Sequence, residues 1–121
     1  MRILLIEDEN LLRKSLAFFL SSKGYDVVEF DNGSDAIDYI HENHEQIDLV
    51  ITDLNLPFAG GKQVIHSTNP YKKIKKIVLT SQSVESTEVE VFELGTDDFI
   101  AKPFSPVVLL KRIEKLIPGP L

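Results

Sequence analysis

Apolar residues in this chain fall into short unbroken runs, separated by stretches where they recur every three or four positions, and this rhythm predicts the elements. Ile3 to Ile6 is a run of strand length, closed at once by three acids, Glu7, Asp8 and Glu9. Leu12, Leu16, Phe19 and Leu20 then recur at helical spacing, with Gly24 placed as a C-terminal cap. Tyr25 to Phe30 suits a second strand. Asn32-Gly33 leads from it into a helix built on Ala36, Ile37 and Ile40, with Ser34 as the expected cap. Leu49 to Thr52 is a third strand, apolar and β-branched, that ends on Asp53, and its loop runs through Pro57 to Gly60-Gly61. Val64 and Ile65 mark a short third helix cut off by Asn69-Pro70. Ile74 to Leu79 is a fourth strand, followed by the hydroxyls of Thr80 and Ser81. Val84 to Leu94 contains an alternating VEVF core, yet Val89, Phe92 and the terminating Gly95 fit a helix, as does the rhythm of the chain. Phe99 to Ala101 is a short fifth strand before Lys102-Pro103. Ser105-Pro106 opens a last helix with Leu109, Ile113, Leu116 and Ile117 on one face.

Five strands alternating with five helices predict an α/β fold, a doubly wound parallel sheet with right-handed crossovers. Such sheets gather their chemistry at the carboxyl ends of the strands. Glu7 and Asp8, Asp53 with Asn55, Thr80, and Lys102 would meet there. Asp53 is the focal residue, because a charge that closes a buried strand costs free energy until something pairs with it.

Composition narrows the class. The 121 residues suit one domain, 43% hydrophobic and 26% charged, with no cysteine for disulfides or thiolate metal sites. A net charge of -6 argues against direct nucleic-acid binding, and the one basic cluster, Tyr71 to Lys76, reads as a solvated lead-in to the fourth strand. The apolar run after Met1 and Arg2 is too short for a signal peptide or a membrane span, so a cytoplasmic location is expected. Residues 1 to 117 form the expected domain, and Pro118 to Leu121 reads as a linker start or an artificial end.

Glu7, Asp8 and Asp53 in one crevice would repel one another, since two unit charges about 4 Å apart interact by about 4 kcal/mol at an effective dielectric of about 20. Hard oxygen ligands without His or Cys favour Mg²⁺, Mn²⁺ or Ca²⁺, and Mg²⁺ fits best because it keeps waters and leaves positions for phosphate oxygens. Lys102 adds a fixed positive charge. A carboxylate between a divalent cation and an ammonium, with the Thr80 hydroxyl nearby, is suited to attack phosphorus and to hold the resulting phosphoryl group. The rival reading is a metal-free acidic crevice with Lys102 as a structural counter-ion.

LLIEDE, DLNLP with Gly61 downstream, IVLTS and GTDDFIAKPF occur in this order and spacing. Over Met1 to Ile117 the chain resembles the receiver domain of two-component response regulators, the CheY-like fold with strand order 2-1-3-4-5. The resemblance implies that Asp53 is the phosphoacceptor. It implies that Asp8, Asp53 and the Asn55 carbonyl bind Mg²⁺, with Glu7 acting through water. Thr80 becomes the switch hydroxyl, Lys102 the partner of the phosphoryl group, Phe99 the switch aromatic, and Pro103 follows a cis peptide bond. The partners it implies are a sensor histidine kinase or phosphotransfer protein and an output domain C-terminal to this chain, DNA-binding among the options. Slow self-hydrolysis of the phosphoryl group is implied too.

The resemblance also points to the fourth helix, fifth strand and last helix as the face that signals. Val107 and Leu110 lie off the Leu109 and Ile113 stripe and are the partner-face candidates. Helix four is acidic at Glu85, Glu88, Glu90 and Glu93, which departs from the charge pattern of the winged-helix subgroup and argues against its mode of dimerisation. His41, His44 and His66 are scattered on helices and are read as surface residues. Two further classes compete. One is a receiver-fold interaction module that works without phosphorylation. The other, an aspartyl phosphatase of the haloacid dehalogenase type, would carry D-x-D after its first strand, whereas Asp53 follows the third and is paired with Asn55. A flavin site lacks its phosphate loop after strand one.

Overall fold

The computed structural model describes residues 1–81, 89–90 and 92–119. Five strands form one sheet: β1 (Arg2–Ile6), β2 (Asp26–Phe30), β3 (Leu49–Asp53), β4 (Lys75–Thr80) and β5 (Asp98–Ala101). Their order is β2-β1-β3-β4-β5 and every pairing is parallel, as a doubly wound fold requires. Four α-helices lie among the described residues: α1 (Asn10–Ser22), α2 (Gly33–Asn43), α3 (Gly61–Ser67) and α4 (Pro106–Leu116). The helix expected over Val84 to Leu94 lies mostly outside the described residues, and positions 89, 90, 92 and 93 are helical.

The two faces of the sheet are sorted by strand alternation. Ile3 and Leu5 of β1, with Leu49 and Ile51 of β3, face Leu16, Leu20, Leu109 and Ile113 of α1 and α4. Leu4, Ile6 and Val50 face Ala36, Ile40 and Val64 of α2 and α3. Each of these strand residues is fully buried, which stabilises by about 2 kcal/mol per side chain relative to exposure. Because both faces of β1 and β3 are covered, polar side chains on these strands gather at the strand ends, and the acids that follow β1 and end β3 stand at the carboxyl edge.

Local signals end the elements as expected in most places. Gly24 has φ 95° after α1, and Ser105 caps α4 by accepting from the Val107 N–H, with Pro106 in the first turn. One expectation is corrected: the cap of α2 is Asn32, whose side chain accepts from the Asp35 N–H, while Ser34 sits exposed inside the first turn. Gly33 takes the first helical position, so the cap moves one residue earlier. A 3-10 turn at His44–Gln46 extends α2, and His44 stacks on Tyr71 with ring centroids 4.1 Å apart. The basic lead-in is also corrected at Lys76, which is buried on β4, its own N–H held by Asp97. Burial lowers its pKa, the nearby Asp97 opposing that shift. The last helix divides its apolar residues: Leu110 is half-buried against the core, while Val107 and Val108 are exposed. Among the described residues no helix is long and apolar enough to cross a membrane.

Candidate functional site

The carboxyl edge of the sheet brings Glu7, Asp8, Asp53 and Lys102 together. β1 and β3 are adjacent and in register, Ile6 opposite Thr52, so the acids that follow one strand stand beside the acid that ends the other. Glu7, Asp8 and Asp53 each present a carboxylate oxygen such that these atoms lie within 4.8 Å of one another. Glu7 is 0% exposed and Asp53 6%, while Asp8 is open to solvent. An all-oxygen set of this kind, buried at the back and open in front, fits a hard divalent cation that keeps part of its water shell.

Lys102 arrives from the end of β5. Its Nζ donates to Glu7 Oε1 at 2.5 Å and to Asp53 Oδ2 at 3.0 Å, so one ammonium bridges two carboxylates. Its N–H donates to the carbonyl of Thr80 at 2.7 Å, which ties the ends of β4 and β5 together. Burial disfavours the Lys102 ammonium, but the hydrogen bonds to Glu7 and Asp53 outweigh it and raise its pKa above the ordinary lysine value. For Glu7 burial prevails: its pKa is raised above the ordinary 4.5 despite the bonds from Lys102 and from the Glu9 N–H. Three acids thus share one ammonium in the crevice.

The remaining candidates lie around this centre. Asn55 is exposed, and its N–H reaches Asp53 Oδ1 at 3.4 Å. Thr80 is fully buried at the end of β4, and Phe99, half-buried on β5, has its ring 6.4 Å from that of Phe92. The Lys102–Pro103 peptide is cis. Val107 and Leu110, on α4, are not part of this cluster.

Close approach fixes the loop after Asp53. Gly61 packs so tightly that a Cβ there would overlap the carbonyl oxygen of Asp53 and the Cα of Leu54. Gly33 is pressed against Ala59 in the same way, and its N–H donates to the Pro57 carbonyl at 3.2 Å. Phe58 and Ala59 between them have φ of 55° and 112°, a conformation rare for residues with a side chain.

Arg13 was not singled out by sequence reasoning. It is 8% exposed, and its guanidinium donates to the Glu7 carbonyl oxygen at 2.9 Å and to Asn10 Oδ1 at 2.6 Å, with Glu29 Oε1 3.3 Å away. The available signal was a cation between Leu12 and Leu16, two positions of the core-facing stripe, four residues after an acid cluster.

A sheet of this order with this edge defines a class, and comparison with known proteins identifies it. The family model described as response regulator receiver domain matches residues 3–114, and the chain belongs to that family. It is 37% identical over 117 residues to response regulator RR06 of Streptococcus pneumoniae, covering 97% of this chain and 53% of that protein. With the transcriptional regulatory protein SrrA of Staphylococcus aureus it shares 35% over 115 residues, 95% of this chain and 47% of the relative. The chain thus spans about half the length of these relatives. Among solved structures, the beryllofluoride-activated receiver domain of RstA from Klebsiella pneumoniae superposes with a TM-score of 0.88 at 27% identity, covering 98% of this chain and all of that one. The non-phosphorylated HemR receiver domain from Leptospira biflexa gives 0.87 at 33% identity, covering 97% and 94%.

Proposed function

We propose that this receiver domain accepts a phosphoryl group on Asp53 from the phosphohistidine of a sensor kinase or phosphotransfer protein. An oxygen of the Asp53 carboxylate attacks phosphorus, the P–N bond breaks, the imidazole leaves, and an aspartyl phosphate remains. The observation that carries this reading is the bridging ammonium: Lys102 Nζ sits 3.0 Å from Asp53 while two other acids share the crevice.

Glu7, Asp8, Asp53 and the Asn55 carbonyl would hold Mg²⁺. When bound, it supplies positive charge toward which phosphoryl oxygens are drawn. Lys102 holds the incoming group from the other side, and burial of Asp53 limits the water that competes with the donor or later hydrolyses the product. Thr80 and Phe99 respond to the new charge, and the face formed by Val89, Glu90, Phe92 and Glu93 with β5 and α4 carries the change, with Val107 and Val108 as its exposed apolar contacts. Leu110 contributes its half-buried flank. The relatives are about twice as long as this chain, which leaves room in them for an output domain. By the name of SrrA, we assign this domain to control of an output that regulates transcription in the cytoplasm.

Phosphotransfer from a labelled histidine kinase in Mg²⁺ tests the reading. The unaltered chain should take up label that EDTA abolishes, and Asp53→Asn should take up none. Full labelling of Asp53→Asn, or no labelling of the unaltered chain by any donor, would end it. The second outcome would leave an interaction module that works without phosphorylation.

A further inference from the structure

Arg13 stands where helix electrostatics disfavour it. The positive end of the α1 dipole points at its first turn, a place that suits acids, yet that turn contains no acid and places a buried arginine instead. Its three partners explain the position. One guanidinium nitrogen donates to the carbonyl oxygen of Glu7, another to Asn10, and the third faces Glu29 of β2. The Glu7 N–H donates in turn to the Phe30 carbonyl at 3.0 Å. The peptide units on both sides of Glu7 are therefore held, one by the end of β2 and the other by Arg13, and the second of these leads directly into Asp8. Among the described residues the Asp8 side chain makes no bond comparable to the one from Lys102 that fixes Glu7, so its direction depends on that peptide plane.

From this we infer that Arg13 is a positioning residue for the divalent-cation site, acting through the Glu7–Asp8 peptide, with Glu29 steering the guanidinium. The inference rests on the metal-dependent reading above and deepens it. The guanidinium donates to two acceptors from a fixed plane while facing Glu29, which Lys14 also meets at 3.2 Å, and a lysine ammonium at position 13 does not reproduce that fork. Groups that orient metal-binding residues from behind typically change affinity by about 10- to 100-fold when removed.

The competing account makes Arg13 only a nearby charge, and the two accounts differ in sign. Removing a positive charge from beneath three acids should tighten Mg²⁺ binding, whereas releasing the peptide that aims Asp8 should weaken it. Mg²⁺ affinity is measured by calorimetry on Arg13→Gln, Arg13→Lys and Glu29→Gln, with melting curves in EDTA to confirm that each variant folds. Arg13→Gln should bind about tenfold more weakly, Arg13→Lys should fail to recover the unaltered affinity, and Glu29→Gln should show a smaller loss in the same direction. Amide exchange without metal supplies a second readout: the Glu9 N–H, bonded to Glu7 Oε2 at 3.1 Å, should exchange faster in Arg13→Gln while the β3 amides keep their protection. Should Arg13→Gln not fold, Arg13→Lys carries the test, because it keeps the charge and a merely nearby charge would leave the affinity unchanged. Equal or tighter Mg²⁺ binding by the folded variants, or full recovery by lysine, overturns the positioning role alone. Failure of the unaltered chain to bind Mg²⁺ overturns the metal-dependent reading itself, a result that the exchange data would separate from a loose acid loop.

Discussion

The two ends of the sheet treat charge in opposite ways. At the amino edge Arg2 is matched on every side: its N–H donates to Asp48 at 2.8 Å, and its guanidinium to Asp26 at 2.9 Å, Gln46 at 2.9 Å and Tyr39 at 3.2 Å. At the carboxyl edge a single ammonium, Lys102, must serve Glu7 and Asp53, with Asp8 beside them. At the first edge each of the two acids has its own donor, the Asp48 carboxylate a backbone N–H and the Asp26 carboxylate a guanidinium, whereas at the second three acids crowd around one ammonium. A sheet stabilised for its own sake would resemble the first edge at both ends. On the reading proposed above, the crowding at the second is where a cation and a phosphoryl group would sit.

The largest break in this contrast is Lys102→Met in metal-free buffer. It leaves the buried Glu7 and Asp53 carboxylates facing each other without a cation, and urea denaturation should show a loss of about 2 kcal/mol at neutral pH. Added Mg²⁺ should recover part of it, because a ligand that binds only the folded chain stabilises it by mass action. No loss in EDTA would mean that the crevice is already balanced.

Glu7→Gln should act in the opposite direction and less strongly. The raised pKa of Glu7 means that, just above the ordinary 4.5, the folded chain keeps a proton that the unfolded chain has released. That contribution is complete below 4.5 and is lost as pH rises through the folded value. Glu7→Gln should therefore be more stable than the unaltered chain at neutral pH in EDTA, and the two should converge as pH falls below 4.5. With Mg²⁺ present the order should reverse. Melting curves at two pH values, with and without metal, check both signs.

Arg2→Met gives the smallest effect and serves as the control for the other edge. Partly exposed pairs contribute little, so melting should fall slightly while Mg²⁺ affinity and Asp53 labelling stay unchanged. A change in labelling would show that the amino edge communicates with the crevice.

Much of this was legible in the sequence, because the elements that set the architecture are those with the strongest periodicity. The runs at Ile3 and Leu49, the stripe of α1 and the Ser105-Pro106 start all appear where hydrophobic spacing puts them. The edge cluster followed from topology, since residues after adjacent parallel strands must be neighbours. What stayed hidden depended on contacts between distant segments. The burial of Lys76 reflects the covering of β4 and its pairing with Asp97, and neither shows in the local string YKKIKK. The role of Arg13 depends on where Glu29 falls on β2, sixteen positions later. The Asn32 cap was missed because Ser34 also offers a side-chain oxygen acceptor two residues on, and only backbone geometry decides between them.

Gly33 and Gly61 carry no chemistry, yet each touches the frame that presents Asp53: one abuts the Ala59 carbonyl, the other the backbone of Asp53 itself. A saturation library screened for signalling would flag both as intolerant, and a reader of that map could mistake vacant space for a binding determinant. Mutational sensitivity around this crevice thus records two different demands, groups that must be present and volume that must remain empty.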